Sequence, residues 1–310
     1  MRGSLSTIRA VIGTLLRLLP AVLGMTTGYL LRSLGAAEQR DGSFVFKLVF
    51  YVGLPALMFT ALSTVTFTAA LAVFPPAAFA AVATGYLAGR LAASRAKWPP
   101  TQTAVLISCC MMVNTGFQLP FVQALYGAQG VARIAAFDAV NTTLTFSWAY
   151  YTAARGNPTH AGGSLLLDRL VKSPPLYAIA AGLLVRVSGV HVPATIADPI
   201  RTFGSVTPVL ISLGVGILFV PLTRGLGKAA LVVGIRLVTG LTVAIVFIAL
   251  FRLHGMDRTI LLLVGVSPVA FVAVTFASLE DLDADLAVNA LSLSMVSSLA
   301  LSLAITVVFG

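Results

Sequence analysis

Met112-Val-Asn-Thr-Gly-Phe-Gln-Leu-Pro120 decides how the rest of the chain is read. It lies inside an apolar run, yet Asn114, Thr115 and Gln118 bring polar side chains, Gly116 brings backbone freedom, and a proline closes the stretch. Proline removes a backbone donor and clashes with the preceding helical turn. In lipid, the carbonyls it frees find partners only within protein or a water-filled cavity. A second intrahelical proline, Pro268, follows 148 residues later in Val264-Gly-Val-Ser-Pro268. There Gly265 and Ser267 provide further means of opening the helix, and Thr275 lies two turns on. Asn141 and Asn289, each in the apolar span after its proline, are also 148 residues apart. Matching interruptions in two halves of a membrane protein point to a ligand site built where broken helices meet.

The composition agrees with a membrane setting. Hydrophobic residues make up 58% of the chain and charged residues only 10%, where a soluble domain averages about 25% charged. Ten spans are predicted, at 11–31, 44–62, 69–92, 102–126, 131–153, 174–190, 204–221, 229–251, 259–279 and 286–309. Most reach the roughly 20 residues that a bilayer requires. The short connections exclude a separate soluble domain. Arg2, Arg9, the first apolar run and Gly35-Ala36-Ala37 also fit a secretory signal peptide, but that span has a counterpart later in the chain. A shift of 154 carries Pro20, Gly28, Arg32 and Gly35 onto Pro174, Gly182, Arg186 and Gly189. A shift of 153 carries Pro55 onto Pro208, and one of 155 carries Thr84-Gly85 onto Thr239-Gly240. The expected organisation is therefore a five-helix repeat over 1–153, a linker over 154–173, and a second five-helix repeat over 174–310. An odd number of spans per repeat inverts the second unit, a common design among secondary transporters.

Loops after odd-numbered spans hold eleven Lys and Arg residues and the other side eight, which predicts both termini outside a plasma membrane. The net charge of +10 is scattered over loops on both faces and calls for a lipid bilayer rather than nucleic acid. Cys109 and Cys110 are adjacent and read as small core residues, with no disulfide framework. The histidines His160, His191 and His254 lie in loops without metal-ligand spacing, so neither a metal nor a cofactor is expected. No nucleophile–base pair suggests an enzyme.

Of ten acidic residues, only Asp138 falls well inside a span. An ionised carboxylate at mid-bilayer costs on the order of 3 kcal/mol, so it faces a cavity or a partner. Asn141, Thr142 and Thr145 share its helix face. Two readings stay open: a polar seam that ties helices together, or an aqueous path where Asp138 couples to an ion or anchors the broken helix. Glu280-Asp-Leu-Asp-Ala-Asp285 suits the positive start of the tenth span. Arg17 and Arg236 read as snorkelling side chains.

Asn114-Thr-Gly-Phe-Gln-Leu-Pro120, Leu125-Tyr-Gly127 and Phe137-Asp-Ala-Val-Asn141 resemble the auxin efflux carrier superfamily in its bacterial permease branch. Gly53-Leu-Pro-Ala-Leu-Met-Phe59 and Gly265-Val-Ser-Pro268 fit the same pattern. The resemblance implies ten helices in two inverted five-helix units, shared with bile-acid symporters and sodium/proton antiporters, with the fourth and ninth helices broken and crossing beside the substrate. It also implies small organic anions such as malate or malonate as substrates. Two departures stand out. Gln118 occupies a position that is glycine in relatives, and the third span lacks the acidic residue that plant members pair with a lysine.

The expected protein is thus an all-α carrier for a small organic anion, working by alternating access, either uncoupled or coupled to Na⁺ or H⁺. A non-transporting membrane sensor is the alternative of another class. Asn114, Thr115, Gln118, Asn141, Ser267 and Asn289 are the expected substrate ligands. Gly116, Pro120, Gly265 and Pro268 are the expected hinges, and Asp138 is an ion-coupling group or an anchor. A homodimer is compatible with this reading.

Overall fold

The computed structural model describes residues 2–157, 173–219 and 226–309, and among them every regular element is helical. The first half runs through α1 (Arg2–Ser33), α2 (Gln39–Ser63), α3 (Phe74–Ala96), α4 (Pro100–Met111) and α5 (Thr115–Leu144). A π-turn, Thr145–Ala149, then leads into Tyr150–Ala154. The expected linker lies outside the described residues except for its two ends. Beyond it come α6 (Pro174–Ser188), α7 (Ala194–Leu218), α8 (Leu226–Phe251), α9 (Gly255–Gly265), α10 (Val272–Leu279) and α11 (Ala284–Phe309). Among the described residues, six helical stretches are long and apolar enough to cross a membrane, which makes this a multi-pass membrane protein. One of the six, Pro100–Ala154, takes in both the fourth and fifth predicted spans, while α6 and the two pieces of the ninth predicted span, α9 and α10, are each too short to be counted.

Local chemistry explains most ends. Prolines at the first or second helical position start α3, α4 and α6, where their missing N–H costs nothing. α5 contains a joint at Gly127, whose φ of 55° and ψ of −144° divide it into two helices. α7 begins at Ala194, ten residues before the predicted span. Its first turns carry Asp198 and Arg201, an exposed ion pair that lowers hydropathy without disfavouring helix.

The helices form two groups. α1 lies along α7, and α2 packs against α6 and α7. The second group joins α3 to α4, α5 and α8, with α9, α10 and α11 completing it. Inside the second group two helices are interrupted, and the interruptions meet: the backbone N–H of Asn114 donates to the carbonyl of Pro268 at 3.0 Å.

The positions of these breaks correct the proline register. Pro268 does lie in unwound chain, between α9 and α10. Pro120 does not, because it sits inside α5, beyond a break at residues 112–114. The last helical residues before the two breaks, Met111 and Gly265, are 154 residues apart, the same shift that relates Pro20 to Pro174. Asn114 and Pro268, which bond to each other, are also 154 apart. Thus 148 describes the spacing of two prolines rather than of two equivalent structural positions.

Candidate functional site

A cavity of about 750 Å³ lies between the two helix groups, a size suited to a small-molecule ligand. One wall comes from α2, α6 and α7, through residues such as Phe46, Phe50, Leu176 and Ile211. The other comes from the two breaks and α5. Gln39 and Ser43, at the start of α2, also line it. The opposite end of α2 is tied down instead. Gln129 on α5 donates to the carbonyl of Thr64 and accepts the N–H of Thr66, both at 3.3 Å. Next to it, Arg133 pairs with Asp257 at 2.6 Å, bolting α5 to the start of α9.

The polar wall is organised around Asp138. Its Oδ1 accepts from the Thr115 hydroxyl at 2.6 Å and from the Asn141 amide at 3.0 Å. Its Oδ2 accepts from the Thr142 hydroxyl at 3.0 Å. Asn141 also donates to the carbonyl of Val113, at 3.0 Å, inside the first break. The carboxylate therefore holds the start of α5, its own helix and the unwound chain in one network. Asn114 caps α5 in the ordinary way, its side-chain oxygen accepting the N–H of Phe117 at 3.1 Å. Its Nδ2 is buried with no partner, as are Asn141 Oδ1, Thr145 Oγ1 and Ser173 Oγ, and all four residues line the cavity. Buried polar atoms of this kind are normally satisfied, each at a cost of about 1–3 kcal/mol if left alone. Three lie on the wall built by the first break and α5, and Ser173 faces them from the start of α6, so the cavity is suited to a polar occupant. Lys47 is the cation at the rim, and Asp138 is the acidic residue lining the cavity among the described residues.

The comparisons with known proteins fit this arrangement. A family model described as membrane transport protein matches residues 14–307. An uncharacterized transporter of Methanothermobacter thermautotrophicus is 30% identical over 283 residues, covering 88% of this chain and 90% of its own. An uncharacterized transporter of Methanocaldococcus jannaschii is 23% identical over 282 residues, with 88% and 91% covered. The chain belongs to the auxin efflux carrier family of membrane transport proteins. It is a transporter, and not an enzyme.

In this family member the expected site residues, whether ligand, hinge or anchor, separate into two sets. Asn114, Thr115, Gly116, Asp138 and Asn141 line the cavity. Gln118, Ser267 and Asn289 do not. The Gln118 amide is fully buried and engages Ser302 on α11 in both directions, at 3.0 and 3.2 Å. Ser267 turns back to the carbonyl of Leu263 at 3.2 Å, satisfying an orphan acceptor at the end of α9. Gly265 packs against α8 rather than facing the cavity.

In the acidic run before α11, Asp283 acts at the helix start as expected and Glu280 does not. Asp283 caps that helix, accepting the N–H of Leu286 at 2.9 Å, while Glu280 is buried and accepts from the Tyr150 hydroxyl. Sequence reasoning missed Lys47 and Ser173 as lining residues, and also Phe46 and Phe271, whose rings meet at 4.7 Å across the two groups. Two π-turns, Val49–Gly53 within α2 and Thr145–Ala149 after α5, contribute lining residues from the two opposite walls, and such turns often mark functional sites. Among the described residues, no three His, Cys, Asp or Glu side chains come together to hold a metal.

Proposed function

We propose that this transporter carries a small organic anion by alternating access, with the cavity as its binding site. The observation that carries the substrate class is the unpartnered Asn114 Nδ2, a buried donor at the start of α5. A helix N-terminus favours negative charge, and α10 brings a second one, through Val272, to the same wall. Lys47 adds a cation, while Asp138 has its charge met by three donors and so repels an anion less. On this reading Asp138 is the anchor of the break rather than an ion-coupling group.

Alternating access draws support from the asymmetry of the interface between the groups. The cavity reaches the start of α2, whereas Gln129 on α5 ties the chain at the far end of α2 to the second group and closes the opposite end. With the basic loops inside, this conformation faces the cytoplasm. The ten-helix inverted repeat is supported by residues that touch their own counterparts. Asn114 meets Pro268 and Gly53 meets Thr207, both pairs 154 apart. Self-contact of this kind is what a two-fold axis imposes on residues lying close to it.

Asn114→Asp tests the substrate class. It keeps an oxygen to cap Phe117 and replaces the free donor with negative charge. In proteoliposomes, uptake across a panel of mono- and dicarboxylates should fall by about tenfold or more, with the melting temperature close to wild type. Carboxylate uptake unchanged in this variant would remove the anion reading.

A further inference from the structure

Arg236, on α8, is not a snorkelling side chain. It is buried, with 2% of its surface exposed. A guanidinium is always charged and has five N–H donors to satisfy. Here Nε donates to the carbonyl of Met112 at 3.3 Å, and Nη2 is buried without a partner. Arg236 forms no ion pair with a described carboxylate. A charge in the membrane-spanning core costs several kcal/mol unless something answers it.

What answers it is backbone. Met112 is the C-cap residue of α4, at the edge of the first break. One turn along α8 from Arg236, Gly240 packs directly beneath the carbonyl oxygen of Gly265, the last residue of α9. The guanidinium Nη1 lies against the same glycine. The positive head is therefore placed between the C-terminal ends of α4 and α9. Each helix C-terminus carries roughly half a negative charge, so the pair presents about one unit. Beside the head, a void of about 10 Å³ is lined by Ala81, Phe137, Gly240 and Gly265. That is room for at most about one water.

We infer that Arg236 is the resident counter-cation of the paired helix ends, a positioning residue that holds the two interruptions in register from the side away from the cavity. One fixed charge neutralises two carbonyl clusters, and the guanidinium fills the space that an inorganic cation would need. Ala81 stands at the corresponding place in the first half, 155 residues earlier, and lines the same void. Only one side of the axis needs to supply the charge, and the small residue opposite leaves room for it. The inference does not depend on which substrate is carried.

Purified protein and proteoliposomes test it with Arg236→Met, Arg236→Lys and the charge transplant Ala81→Arg/Arg236→Ala. Arg236→Met keeps length and burial but removes the charge. It should lower the detergent melting temperature and cut uptake by about tenfold, as loss of charge–dipole stabilisation at two helix ends implies. Arg236→Lys should recover most of both, and the transplant should perform clearly better than Arg236→Ala alone. Melting temperature needs no substrate, so this result stands whether or not the anion reading holds. A Met variant equal to wild type, as expected if the buried charge is merely a liability, would overturn the inference. So would a Lys variant as impaired as Met, or a folded transplant no better than Arg236→Ala.

Discussion

The two helix breaks share a frame and differ in chemistry. The first, at residues 112–114, is short and polar: Asn114 caps the helix that follows, and Asp138 and Asn141 hold the unwound chain. The second, at residues 266–271, is twice as long and largely apolar. It is held by the Asn114 N–H on the Pro268 carbonyl and by the Ser294 hydroxyl, which accepts the N–H of Val269 at 3.1 Å, with Phe271 facing Phe46. Asn141 and Ser294 occupy matching places, 153 residues apart, each on the next helix and each steadying its own break. The comparison teaches that one half supplies most of the polar wall, while the other supplies apolar shape and a helix end. An intact frame with one chemically specialised half allows substrate contacts to vary without loss of the crossing.

The largest expected effect falls where a neighbouring helix meets the backbone at the edge of each break. A Cβ at Gly85 would overlap the carbonyl oxygen of Cys110 at the end of α4, and one at Gly240 would overlap that of Gly265 at the end of α9. Both obstacles are backbone and cannot rotate away. Gly240→Ala should therefore exceed the about 1–3 kcal/mol typical of overpacking. It should be worse than Gly85→Ala, because it also strikes the Arg236 guanidinium. Thermal melting of the two variants in detergent checks the order. Equal and mild losses would mean that the breaks tolerate displacement and that the frame is looser than its contacts indicate.

Next in size is Asp138, which sharpens the chemical side of the contrast. Asp138→Leu leaves the Thr115, Asn141 and Thr142 donors without their acceptor, at roughly 1–3 kcal/mol for each that stays buried. Asp138→Asn keeps one acceptor oxygen, and the Thr142 hydroxyl can turn to accept from the new amide. Leu should abolish uptake and lower the melting point, while Asn should retain most of both. Loss of a pH-dependent uptake step in the Asn variant, with substrate binding kept, would instead make Asp138 a coupling group.

Much of this was legible in the residues. The apolar runs located the helices, and the motifs around Asn114 and Asp138 led to the right family. The Thr84-Gly85 and Thr239-Gly240 pairing carries two of the close backbone approaches between helices, at Gly85 and Gly240, because a glycine needed for such an approach leaves no other trace in a sequence. Three points were not legible. Proline signals strain but not the residue at which a helix stops; in the first break Asn114 sets that point by capping, and Pro120 is absorbed six residues inside α5. The distance of Arg236 from its span's end said nothing about the carbonyls it faces. A polar residue beside a break also does not declare which neighbour it answers, and Gln118 shows this.

The smallest expected effect on transport concerns Gln118 for that reason. Its position four residues after Asn114 suggests a shared ligand-facing role, but its amide is closed on Ser302 and away from the cavity lining. Gln118→Ala removes both hydrogen bonds and leaves a void, while Ser302→Ala removes the same partner and leaves the amide unsatisfied. Each should lower stability, by an amount in the range of about 1–3 kcal/mol for a broken buried pair. The double variant should lose less than the sum, since both single changes break one interaction. Uptake kinetics of the folded fraction should stay near wild type in all three. A rise in KM for Gln118→Ala, absent from Ser302→Ala, would return Gln118 to the substrate path and make the first break more polar than its wall now shows.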